Sequence, residues 1–144
     1  MSRDQLVTDW VASRFPNQSV EITPASADAS FRRYFRLTWP EGGTRILMDA
    51  PPDKEDCKPF IHVAGLLAKA GLAAPHVVDQ DLVNGFLVLT DLGRIGYLDA
   101  LNADLSLADT LMRPVLDVLV KWQLSSRAST LPPYDATLLR RELD

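Results

Sequence analysis

Asn84-Gly85-Phe86-Leu87-Val88-Leu89-Thr90-Asp91-Leu92-Gly93 is the stretch that decides how the rest of this chain is read. A turn pair, Asn84-Gly85, opens an apolar run, and Thr90-Asp91 followed by Leu92-Gly93 closes it. Such a run between two turn signals predicts a strand buried on both faces of a sheet. Gly93 predicts a hinge, because a residue without a Cβ frees the backbone where the chain leaves the sheet. Taken alone, the stretch reads first as a central strand and turn that bind nothing.

Upstream, Pro75-His76-Val77-Val78 begins a partner strand, and residues 81–84 turn the chain between the two. Phe60, Ile61, Ala64, Leu67 and Ala68 recur at helical spacing from Cys57 or Pro59, and Gly71 ends that helix. Residues 50–56 form a proline-bearing charged loop in which Glu55 and Asp56 read as solvated. Two strands, residues 31–39 and 44–49, flank a Pro40-Glu41-Gly42-Gly43 turn and predict a hairpin. Val20-Glu21-Ile22 alternates as a short strand stopped by Pro24. At the front, Ser2 with Gln5 three residues on has the capping-box pattern, ahead of an apolar stripe of Leu6, Val7, Trp10, Val11 and Phe15.

Downstream, residues 97–101 predict a short helix and residues 107–126 a longer one. Leu111, Val115, Val118, Leu119 and Trp122 mark the side of the longer helix expected to be buried. Pro114 predicts either a kink or the true first turn. Asp135 caps a last helix from Ala136, and Arg140-Arg141-Glu142-Leu143-Asp144 reads as an ending inside that helix. The expectation is an α+β fold on a mainly antiparallel, five-stranded sheet, forming the front part of a longer protein. An apolar stripe left on residues 107–122 predicts self-association.

The 144 residues are a one-domain length. A formal charge of −4 argues against a general nucleic-acid binder, which needs a clustered basic face. Cys57 is the only cysteine, so no internal disulfide and no thiolate metal cluster can form. Residues 1–15 carry Arg3, Asp4, Asp9 and Arg14 and lack the apolar core of a signal peptide. No run approaches the roughly 18 to 20 apolar residues that span a bilayer. A cytoplasmic protein is expected, with neither nucleic acid nor membrane as partner. His62 and His76 are followed two residues later by Ala64 and Val78, not by an acid, and read as structural or surface histidines.

In order and spacing these motifs resemble the aminoglycoside phosphotransferase and choline kinase-like family. Within it the likeness is greatest to the bacterial kinases that phosphorylate the anomeric hydroxyl of N-acetylmuramate and N-acetylglucosamine in cell-wall recycling. The residues that carry it are Ala27-Asp28-Ala29-Ser30-Phe31-Arg32-Arg33-Tyr34-Phe35-Arg36, then Leu47-Met48-Asp49-Ala50-Pro51-Pro52 and the Phe60–Leu67 helix. Gly71-Leu72-Ala73-Ala74-Pro75 and the stretch from Gly85 to Gly93 complete the set.

The resemblance implies a protein-kinase-like, nucleotide-binding N-terminal lobe over residues 1–91 and the start of a helical C-terminal lobe over 92–144. It places the loop from Ser26 to Ser30, with Asp28 and Ala29, over the ATP phosphates, although no G-x-G-x-x-G is present. Arg32 and Arg33 become phosphate partners, and strand alternation turns at least one of them away. Thr90, Asp91 and Leu92 become the connector whose backbone reads adenine, with Met48, Leu72, Val77 and Leu89 as slot walls.

The family also implies a lysine on the third strand, where this sequence has Met48 and Asp49, with Lys54 and Lys58 lying beyond the strand. The catalytic aspartate and the magnesium ligands are expected outside this chain. The implied activity of the parent is ATP-dependent phosphoryl transfer to an amino sugar. The alternative, suggested by the missing lysine and catalytic loop, is a non-catalytic kinase-like binding or assembly module.

Overall fold

Phe86 and Val88 belong to one apolar cluster and Leu87 and Leu89 to another, as alternation along a strand covered on both sides requires. The computed structural model describes residues 2–27, 30–127 and 131–143. Its elements are α1 (Arg3–Arg14), β1 (Glu21–Ala27), β2 (Arg33–Thr38), β3 (Thr44–Asp49), α2 (Cys57–Lys69), β4 (Val77–Asp81) and β5 (Phe86–Thr90). Beyond them lie α3 (Tyr97–Ala103), a 3-10 turn (Leu105–Leu107), α4 (Ala108–Ser125) and α5 (Ala136–Leu143). The strands make one five-stranded sheet in the order β1-β2-β3-β5-β4, antiparallel at every step. The α+β reading holds.

α1 covers one face. Val7, Trp10 and Val11 pack with Leu37, Leu47, Phe86 and Val88, and the Trp10 ring lies 5.1 Å from that of Phe86. Each fully buried side chain of this size contributes about 1.5–3 kcal/mol by leaving water. Ser2 caps α1 by accepting from the Gln5 N–H at 3.2 Å, but the Gln5 side chain turns to Asp9, so only half of the expected capping box forms. Polar contacts fasten α1 to the sheet, among them Arg3 to Asp49, Asp4 to Arg33, Trp10 to Asp81 and Arg14 to Asp79.

The other face carries the second cluster, Met48, Ala50, Cys57, Leu87 and Leu89, with Phe60 and Ile61 of α2 packed against it. Asp56 caps α2 through the Lys58 N–H, and Pro59 falls in the first turn, where a missing N–H costs nothing.

Two expectations are corrected here. β1 does not stop at Pro24 but continues to Ala27, because it is an edge strand with a free side for the ring, and the register shifts between Pro24 and Ser26. The α4 face expected to be buried is exposed: Val118 is 48% and Trp122 47% accessible, and no described residue of α4 is buried. Periodicity marks a face as apolar without saying what covers it. α4 itself runs unbroken through Pro114.

Gly85 fixes the turn before β5. It has φ +72, and a Cβ there would fall 1.9 Å from the Ala50 carbonyl oxygen.

Candidate functional site

β2, β3 and β5 each send alternate side chains to the α2 face, and at the Thr90 end these floor an open cleft of about 540 Å³. Tyr34, Ile46 and Leu89 supply the floor, Phe60 and Pro75 one side, and residues 90–96 the rim. Ser26 also lines it, as a β1 strand residue paired with Tyr34, so the loop expected from Ser26 begins later than that residue. Asp28 and Ala29 lie outside the described residues. Ser30 accepts from the Arg32 backbone N–H at 3.2 Å and from its Nε at 3.1 Å.

Met48 shares the face of Ile46 but is fully buried beside Ala50 and Cys57, and it supports the floor instead of lining the cleft. Leu72 and Val77, also expected as walls, do not line it, and Val77 packs on the second cluster.

The adjacent arginines part company, as alternation requires. Arg33 faces α1, where its Nη2 lies 2.6 Å from the fully buried Asp49 carboxylate and its Nη1 meets Asp4. Arg3 holds the other Asp49 oxygen at 2.6 Å. Arg33 is thereby taken off the cleft side, and Asp49 with it.

Arg32 stays on the α2 side, 3.5 Å from Glu55. It borders a second cleft that shares Phe60 and Pro75 with the first. Glu55 is therefore an ion-pair member that also accepts from the Phe31 N–H, a correction to its solvated reading. Lys54 lies over the Phe31 ring, and neither it nor Lys58 lines the first cleft.

Sequence reasoning missed Arg36. Its guanidinium is nearly buried and donates from Nε to Asp91 Oδ2 at 2.6 Å and from Nη2 to Asp91 Oδ1 at 3.1 Å. Nη2 also donates to the Gly93 carbonyl at 2.9 Å. The signal was available: two residues after Tyr34 on an alternating strand, Arg36 points to the same face and needs a buried acid. The Arg36 guanidinium holds the Asp91 carboxyl well below the usual carboxylate range, aided by the Gly93 N–H. At the other end of the rim, Thr90 donates its N–H to the His76 carbonyl, and its hydroxyl accepts from the His76 N–H, both at 3.0 Å.

His62 and His76 are exposed. Cys57 is buried, which pushes its thiol up. Among the described residues, no three His, Cys, Asp or Glu side chains come together to hold a metal ion, and no helix is long and apolar enough to cross a membrane.

Comparison with known proteins follows the same lines. Residues 21–144 match the model of the phosphotransferase enzyme family known as APH. The chain is 49% identical over 154 residues to an N-acetylmuramate/N-acetylglucosamine kinase of Pseudomonas aeruginosa, covering 99% of this chain and 44% of the relative. A protein of the same name from Pseudomonas putida is 48% identical over 124 residues, 85% of this chain and 35% of its own length. One from Neisseria meningitidis serogroup B is 35% identical over 146 residues, 100% of this chain and 43% of its own length. The chain thus spans less than half the length of the curated relatives it matches.

Proposed function

The chain belongs to the phosphotransferase enzyme family, and from that premise we propose that the cleft under residues 90–96 takes the adenine of ATP. The protein carrying the chain then transfers the γ-phosphoryl group to the anomeric hydroxyl of N-acetylmuramate or N-acetylglucosamine. The observation that carries this reading is an apolar floor of Tyr34, Ile46 and Leu89 set against the connector of residues 90–96 along the rim, the pairing that a flat base with polar edges needs. The relatives' names supply the acceptor class.

In this reading residues 1–91 hold the nucleotide, residues 92–144 begin the acceptor-binding lobe, and the protein works in the cytoplasm. Arg32, held by Glu55, faces the phosphates in place of the strand-three lysine that Met48 replaces. Ser26 and Ser30 flank the segment over the phosphates. Magnesium is assigned no ligand within the described residues, where no acidic cluster fits it and Asp91 is engaged by Arg36.

One observation favours the second reading, a non-catalytic kinase-like module: Met48 puts a buried thioether on the cleft-side face of β3, where a cation would serve phosphates.

Calorimetric titration of the gene product that carries these residues with ATP tests the proposal. Binding is expected in the wild type and is expected to be lost in Ile46→Trp, whose ring fills the cleft. Unchanged affinity in a folded Ile46→Trp protein would overturn it.

A further inference from the structure

Resting on the reading of the cleft as an adenine slot, we infer that Arg36 and Asp91 are positioning residues. Together they clamp residues 90–93 so that the Asp91–Leu92 backbone is presented to the base. Three observations carry this.

The first is burial. Arg36 and Asp91 side chains are only 10% and 5% exposed, although both stand at the rim of an open cleft. Ion pairs so desolvated are no more stabilising than well-packed apolar residues of the same size, so fold stability alone gives no reason for one here.

The second is that the pair, with Asp91 also bonded to the Thr44 side chain on β3, reaches both polar groups of one connector residue. Arg36 donates to the Gly93 carbonyl at 2.9 Å, and Asp91 accepts from the Gly93 N–H at 2.9 Å. Both polar groups of the Gly93 backbone are thus held from within the protein. Gly93 sits at φ +111, a conformation that L side chains rarely adopt, with nothing within 4 Å of the place a Cβ would take. The backbone angle, and not crowding, therefore asks for glycine at this point.

The third is the opposite end. Thr90 is tied to His76 through its N–H and its hydroxyl. With Thr90 and Gly93 both engaged, the residues between them form the edge left to meet a ligand. A base reads such an edge through donor and acceptor positions fixed in space, and hydrogen bonds weaken steeply as those positions leave their alignment. The clamp thus acts on the affinity for the base and on discrimination between bases, while phosphoryl transfer from bound nucleotide does not depend on it.

The experiment uses the gene product that carries this chain, with Arg36→Lys, which keeps the charge and loses the fork, and Asp91→Asn, which keeps an oxygen for the Gly93 N–H. Gly93→Ala perturbs the backbone that the pair holds while leaving Arg36 and Asp91 themselves unsubstituted, and serves if either of the others does not fold. Thermal melting selects the folded variants. KM for ATP and for GTP and kcat at saturating nucleotide are then measured, together with hydrogen exchange of the connector amides.

KM for ATP is expected to rise about tenfold or more with kcat nearly unchanged, the preference for ATP over GTP to narrow, and exchange at the Gly93 amide to speed up. Folded variants with wild-type KM for both nucleotides overturn the clamp while leaving the adenine slot standing, and so does a loss confined to kcat. A wild-type protein that takes neither nucleotide overturns the slot and the clamp together.

Discussion

Replacing Asp49 by asparagine should cost about 3 kcal/mol of folding stability and leave the cleft untouched. The Asp49 side chain is fully buried and meets Arg3 Nε at 2.8 Å and Arg33 Nη2 at 2.6 Å. Breaking a buried pair by removing one partner costs about 3–5 kcal/mol, because the remaining charge is left uncompensated. Here the arginine side chains are 26% and 40% exposed, so water takes over part of their charge and the lower end of that range applies. Asparagine keeps one acceptor oxygen but turns an NH₂ toward a guanidinium.

Urea unfolding followed by circular dichroism is the assay. With a slope of about 1.5 kcal/mol/M, the loss appears as a fall of about 2 M in the midpoint at unchanged slope. Asp49→Lys should be worse, since it sets three cations together. It gains no phosphate-binding lysine, because the side chain faces α1 and not the cleft. A midpoint shift below about 0.5 M in Asp49→Asn, or altered ATP affinity in the folded variant, would refute the assignment of Asp49 to the α1 face.

Further outcomes are expected. Gly85→Ala should lower stability by more than about 2 kcal/mol, since the left-handed backbone alone costs about 1–2 and the new Cβ falls 1.9 Å from the Ala50 oxygen. Gly43→Ala, at φ +94 with open space around it, should lose only about 1 kcal/mol, both variants being read by the same urea unfolding. Because Asp91 is held below its ordinary value of about 3.9, the stability it lends is fully present above that pH and is lost as pH falls further. The difference between wild type and Asp91→Asn should therefore be flat from about pH 5 to 8 and shrink below about pH 4. Arg32→Ala should weaken ATP binding about tenfold and leave adenosine binding unchanged, a split that calorimetry reads directly.

The strand at residues 86–90 was legible because its apolar residues need no distant partner to be recognised. β3 came out with its bounds, Thr44 to Asp49, because a glycine turn and a proline loop bracket it. Pro24 misled because a proline stops a central strand but not an edge one, and nothing local says which strand is at the edge. Arg36 was missed because its partner lies 55 residues away, and only the sheet order puts β2 and the end of β5 on one cleft. Glu55 was misread for a similar reason: Arg32, which holds it, stands in a different loop, just ahead of β2. The sequence placed both Met48 and Asp49 where a lysine was expected. Only the position of α1 tells which of the two lies on the cleft side of β3, and the one that does is apolar and buried beneath the floor.

The most direct test of the central claim is ATP-dependent phosphate transfer by the gene product that carries these residues, with N-acetylmuramate, N-acetylglucosamine, choline and kanamycin offered side by side. Transfer to the N-acetyl sugars, abolished by Ile46→Trp, is the expected result. Transfer to none of the four by a folded protein would contradict the kinase reading and leave a binding module in its place.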